Sequence, residues 1–85
     1  MGDTVRARLI AEPASPETIR DARRRLIELG FHVEAEDPGG IAFDGDAERF
    51  RQVFGDPAAP ELVVPDELAS VAAGVVIPRS PELFP

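Results

Sequence analysis

Apolar and polar residues recur along the chain with two different periods, which predict strands in some segments and helices in others. Over residues 5–11, apolar side chains occupy every second position, which predicts a strand with Arg6 and Arg8 on its other face. Over residues 16–29, apolar side chains recur three and four positions apart, which predicts an amphipathic helix. Ser15 is a favourable N-cap for that helix.

A hairpin and a second helix are predicted next. Residues 31–36 and 41–44 alternate on either side of an Asp-Pro-Gly-Gly turn, which favours two antiparallel strands. The alternation places Phe31, Val33, Ala35, Ile41 and Phe43 toward the core. It places His32, Glu34, Glu36, Ala42 and Asp44 on the outer face. Asp44 or Asp46 then caps a short helix that ends at Phe54-Gly55.

The fourth strand has two candidates, residues 61–64 and residues 75–77, and a short helix is predicted to start at Pro65-Asp66. Either choice predicts an α+β fold, a ferredoxin-like βαββαβ sandwich with both helices on one face of an antiparallel sheet. We expect one domain over residues 1–77, followed by an extended, Pro-rich C-terminal arm over residues 78–85.

Composition and charge narrow the classes of partner. The net charge of −7 argues against nucleic acid and against an anionic membrane surface, so another protein is the expected partner. The sequence contains no cysteine, which excludes disulfides and thiolate metal sites. No secretory signal or apolar run long enough to cross a membrane is apparent, and we expect a cytoplasmic protein.

Residues that could carry chemistry are few. His32, the only histidine, falls on a strand beside Glu34 and Glu36, and imidazole with carboxylates is a potential cation site. An exposed strand residue is the favoured interpretation, because zinc sites seldom combine one histidine with carboxylates alone. The three arginines at 23–25 favour a solvated helix surface, since successive helical residues diverge by about 100°. We therefore expect no enzyme activity, no cofactor and no metal.

Two stretches of the sequence carry a resemblance to a known family. After the first predicted helix come LGFHVEAEDPGGIAFDGDAERFRQVFG and then VPDELASVAAGVVIP. This order resembles the activation propeptides of sedolisin- and kumamolisin-type serine peptidases, and more loosely the propeptides of subtilisin-type peptidases. The resemblance implies a ferredoxin-like, stand-alone module that inhibits a serine peptidase or assists its folding.

The resemblance also implies where such a module binds. In these families the open sheet face docks on the peptidase, and the segment after the last helix enters the substrate cleft. By position, the docking face comprises Arg6, Arg8, His32, Glu34, Glu36, Ala42 and Asp44. The cleft-entering segment spans residues 75–80, and we expect binding by Val75, Val76, Ile77, Pro78, Arg79, Leu83 and Phe84.

Alternatives to the peptidase interpretation remain at this stage. The chain is also consistent with a small adaptor or assembly subunit of a larger bacterial complex, held by its sheet face and C-terminal arm. Leu83-Phe84 would otherwise fold back on the domain's own core, which is short of apolar area at this length. A second copy of the chain, paired through the sheet, is a further candidate partner.

Overall fold

The alternating segments form a single antiparallel sheet in a computed structural model that describes residues 3–59 and 61–77. The elements, in chain order, are β1 (Thr4–Ala11), α1 (Pro16–Glu28), β2 (His32–Asp37), β3 (Gly40–Asp46), α2 (Ala47–Phe54), α3 (Asp66–Ala69) and β4 (Ala72–Val76). The four strands lie in the order β2-β3-β1-β4. The fold is therefore α+β, with a four-stranded antiparallel sheet and helices.

Both longer helices begin and end where their capping residues predict. The Ser15 hydroxyl oxygen accepts a hydrogen bond from the Thr18 backbone N–H, 3.2 Å away, at the start of α1. Asp46 caps α2 in the same way. Gly30 and Gly55 follow the two helices with φ near +99° and +97°, the region that a glycine enters without steric cost.

The hairpin pairs as predicted at first and then changes phase at a β-bulge. His32 lies opposite Asp44, but Ala35 lies opposite Ala42, which leaves one extra residue on β2. The bulge turns Ala35 away from the core and Glu36 toward the helices. The predictions of an inward Ala35 and an outward Glu36 are therefore wrong, because simple alternation does not continue through a bulge.

The fourth strand is Ala72–Val76, and residues 61–64 form no strand. Val75 lies opposite Leu9 of β1 and is only 7% exposed. The side chain of Val75 is therefore part of the domain's own core, which corrects its assignment to a cleft-entering segment. The short helix predicted at Pro65-Asp66 is α3, a single turn that buries Leu68.

The core lies between the helices and one face of the sheet. Leu26 of α1 and Leu9 of β1 are fully buried there, as is Leu68. The same core contains a cluster of four aromatic rings, from Phe31, Phe43, Phe50 and Phe54, whose centroids are 4.9–6.5 Å apart. Among the helices of the described residues, none is both long and apolar enough to cross a membrane.

Candidate protein-binding surface

The sheet face opposite the core, here called the open face, carries most of the residues predicted to bind a partner. The strand registers place alternate residues of each strand on it, and the bulge adds Glu34. Its members are Arg6, Arg8, Ile10, His32, Glu34, Ala35, Asp37, Gly40, Ala42, Asp44, Gly74 and Val76. This surface combines charged groups at its two ends with small side chains between them.

One end of the open face is a cluster of alternating charges. Arg6 Nε lies 3.4 Å from Glu34 Oε2, and His32 Nδ1 lies 3.5 Å from Asp44 Oδ2. A hydrogen bond with the Asp44 carboxyl raises the pKa of Glu34, an effect that the positive charge of Arg6 partly opposes. The side chains of Arg6 and His32 are 77% and 75% exposed, so both remain accessible to a partner.

The other end of the open face is an ion pair fixed above the hairpin turn. Arg8 Nη2 donates to Asp37 Oδ1 at 2.8 Å, and that oxygen also accepts the Gly39 backbone N–H at 2.8 Å. The Arg8 hydrogen bond and then the Gly39 bond lower the pKa of Asp37 to about 2. The same contact with Asp37 raises the pKa of Arg8. Arg8 is thus already engaged, in contrast to the more exposed Arg6.

Gly40 provides the space in which the Arg8 guanidinium lies. A Cβ atom at Gly40 would be 3.2 Å from Arg8 Nη2 and would collide with the Leu9 carbonyl oxygen. The glycine is therefore required by the close approach of β1 and β3, whatever its backbone angles. A larger residue there would displace the Arg8–Asp37 pair from the open face.

Small side chains form the middle of the open face. Ala35, Ala42, Arg8 and Val76 lie in one row across the four strands, and Val76 is 48% exposed. Ile10, in the next row, is half-buried. Apart from Arg8, whose guanidinium is paired with Asp37, the central residues are small or apolar, and charged groups lie on either side of them, as in the apolar core and polar rim of protein–protein interfaces.

The structure separates the predicted binding residues into three groups. Seven of them lie on the open face: Arg6, Arg8, His32, Glu34, Ala42, Asp44 and Val76. Glu36 does not join them, because it lies on the helix side with its carboxylate 3.1 Å from Arg23 Nε. Val75 is buried, and Ile77 is half-buried just after β4. Pro78, Arg79, Leu83 and Phe84 lie outside the described residues.

Asp37 and Ala35 are two of the open-face residues that were absent from the sequence-based set. The Asp-Pro-Gly-Gly pattern assigns Asp37 to the turn, where its carboxylate accepts the Gly39 backbone N–H, and it gives no signal for the contact with Arg8. Ala35 was assigned to the core, because nothing in the alternation from Phe31 onward signals the bulge at Glu34. Both residues change the surface, since one neutralises Arg8 and the other extends its flat centre.

The cluster of His32, Glu34 and Asp44 does not make a metal site by its geometry. Within residues 3–59 and 61–77, no group of three or more His, Asp or Glu side chains is arranged to hold a metal ion. The cluster instead offers donors and acceptors at the surface, which suits contacts with the polar groups of another macromolecule.

Comparison with known proteins identifies no relative: no protein-family model, curated protein or solved structure matches the chain. Function is therefore inferred from the surfaces described above and from the resemblance in the sequence.

Proposed function

We propose that this chain is a non-enzymatic, cytoplasmic protein-binding module that docks through its open face, and specifically a propeptide-like inhibitor or folding chaperone of a serine peptidase. One observation supports docking above all. Both longer helices cover the same face of the sheet, and the opposite face presents charged residues around a flat centre.

The proposal includes the fold. We propose a ferredoxin-like sandwich, which is supported by the positions of the strands: β1 and β3 are central, and β2 and β4 are the edges. Helix α1 connects β1 to β2, and α2 lies between β3 and β4, as that fold requires. Helix α3 is an additional single turn in the segment that connects α2 to β4. This arrangement is the one that the propeptide resemblance implies.

The charges of the open face supply the specificity of the proposed contact. Arg6 and His32 are the most exposed basic groups of the cluster, in a chain whose net charge is −7. Charged groups at the rim of an interface mainly set the orientation and the rate of association. A partner surface with acidic groups opposite Arg6 and His32, and apolar groups opposite Ala42 and Val76, fits this pattern.

Titration of the purified chain against subtilisin-type and sedolisin-type peptidases tests the proposal. We expect slow, tight inhibition of at least one type. Arg6→Glu should raise the inhibition constant by about tenfold or more, because it reverses a charge on the docking face. Arg24→Glu is the matched control: Arg24 is 67% exposed and forms one pair, with Asp21, but lies on α1 away from the open face. It should change the constant by less than about twofold.

The outcomes distinguish the peptidase from other partners. Equal effects of the two charge reversals would mean that the open face is not the docking face. Failure to inhibit either type of peptidase would contradict the inhibitor function. Mass spectrometry of proteins that co-purify with the chain would then test the adaptor alternative.

A further inference from the structure

The two edges of the sheet differ in whether a further strand could be added to them. We propose that the outer edge of β4 binds an extended apolar segment of a partner protein, flanked by basic residues, as a fifth strand. Such strand addition uses backbone hydrogen bonds for affinity and alternate side chains for specificity. This edge adjoins the open face, to which Gly74 and Val76 also belong, but it would bind through the backbone groups of β4.

Strand β4 is an edge without charged residues. It pairs with β1 alone among the described strands, and its five residues are all alanine, glycine or valine. An edge strand presents a row of backbone donors and acceptors, which proteins usually protect with charges or by covering it. The bulge opposite Ile10 and Ala11 affects only the start of β4, so the register is regular from Gly74 to Val76.

A depression beside β4 can receive the side chains of an added strand. Its volume is about 440 Å³; Pro57, Leu62, Val76 and Ile77 contribute apolar groups to its lining, most of whose exposed surface is polar. Alternate residues of an added strand would point into this depression and toward the open face beside Val76. The depression therefore has room for alternate side chains of an incoming segment, while the preference for an uncharged segment comes from the alanine, glycine and valine residues of β4 itself.

Strand β2, the opposite edge, is protected. Four of its six residues are His32, Glu34, Glu36 and Asp37, and the bulge at Glu34 interrupts its register. Charged side chains and bulges are the features by which natural sheets prevent the pairing of edges. Within residues 3–59 and 61–77, the sheet is thus protected at the β2 edge, whereas no further strand pairs with the β4 edge.

Charge determines which occupant the β4 edge favours. Among the described residues that line the depression, Glu61 is the only charged one, and the whole chain carries −7. A second copy of the chain would bring two strongly negative domains together over a strand of five residues. A neutral, apolar segment with lysine or arginine beside it avoids that repulsion and gains attraction to Glu61.

Nuclear magnetic resonance of the full, ¹⁵N-labelled chain tests this proposal without a peptidase, so this proposal and the open-face proposal can fail separately. The probe is an acetylated ten-residue peptide that alternates valine and threonine between terminal lysines. We expect the amide signals of β4 to shift most. Val76→Lys should weaken binding by about fivefold or more, since a charge would then lie at the edge.

Ala35→Lys is the matched control, because Ala35 lies in the same row of the sheet as Val76 but at the protected edge. It should change the affinity by less than about twofold. A peptide with proline at its centre should not bind, and one with terminal glutamates should bind more weakly. Thermal melting would verify that both variants fold.

Three results would overturn the proposal. One is the absence of any shift at millimolar peptide, and another is a set of shifts centred on β2. The third is concentration-dependent dimerisation in analytical ultracentrifugation that Val76→Lys abolishes and Ala35→Lys preserves, which would make a second copy the occupant.

Discussion

The two faces of the sheet are built from neighbouring residues and differ in almost every property. On β3, Phe43 is fully buried within a cluster of rings, whereas Ala42 and Asp44, its chain neighbours, lie half-buried on the open face. One face is filled by large apolar side chains and the helices. The other has small residues between two groups of charges. Stability and recognition are thus assigned to opposite sides of the same strands, and each side can be altered separately.

The largest expected difference between the faces comes from truncating a core ring. Phe43→Ala should lower the free energy of unfolding by about 3–5 kcal/mol, because it leaves a cavity among three other rings. Ala42→Ser, one position away on the open face, should change it by less than about 0.5 kcal/mol. Urea denaturation measures both. A loss below about 1 kcal/mol for Phe43→Ala would contradict the described core.

Two glycines of the open face provide the next contrast. Gly40 and Gly74 both lie opposite Ile10, on β3 and β4 respectively. Gly40→Ala should lower the free energy of unfolding by about 1–3 kcal/mol, because the added Cβ collides with the Leu9 carbonyl oxygen. Gly74→Ala should change the free energy of unfolding by less than about 0.5 kcal/mol, since no atom of another residue lies within 4 Å of the position that its Cβ would take. Equal losses of unfolding free energy for the two variants in urea denaturation would show that β1 and β3 are farther apart at Gly40 than described.

The Arg8–Asp37 pair predicts a pH dependence on the open face. The pKa of Asp37 is about 2 in the folded chain, against about 3.9 for an ordinary aspartate. A lowered folded pKa means that this contribution to stability is present above about pH 4 and is lost as the pH falls toward 2. In carbon-detected NMR titrations, Arg8→Met should raise the pKa of Asp37 toward its ordinary value. Arg24→Met, on α1, should leave it unchanged.

The smallest expected effect concerns Glu34, whose pKa shifts in the opposite direction. Its raised pKa means that the folded chain holds the proton more tightly, so stability falls as the pH rises between the ordinary and the folded pKa. Asp44→Asn should lower the pKa of Glu34, because it removes the carboxyl that raises it. Glu36→Gln, on the helix side of the sheet, should leave the pKa of Glu34 unchanged. An NMR titration in which Glu36→Gln had the larger effect would place Glu34 on the wrong face.

Local signals in the sequence predicted most of the fold. Ser15 and Gly30 delimit α1, and the Asp-Pro-Gly-Gly turn fixes the hairpin, because each of these residues acts on backbone within a few positions of itself. The choice between two fourth strands required tertiary contacts. Residues 62–64 and 75–77 are both apolar, and only pairing with β1 distinguishes the two candidate strands.

The candidate surface was predicted less completely. Arg6 and His32 lie where simple alternation places them, but Glu36 does not, because one extra residue at Glu34 reverses the phase of β2. A bulge is determined by pairing with the neighbouring strand. The alternation of apolar and polar residues along β2 therefore does not predict it. The charges of the open face pair across strands, as Arg8 and Asp37 do at a separation of 29 residues, which no local pattern reveals.

The most direct test of docking through the open face is an NMR map of the labelled chain bound to an inactive serine peptidase whose nucleophile is replaced by alanine. We expect the largest amide changes on β1 and β3 around Arg6, Arg8, Ala42 and Asp44, with little change on α1. Changes centred on the exposed side of α1, with β1 and β3 unaffected, would contradict the account.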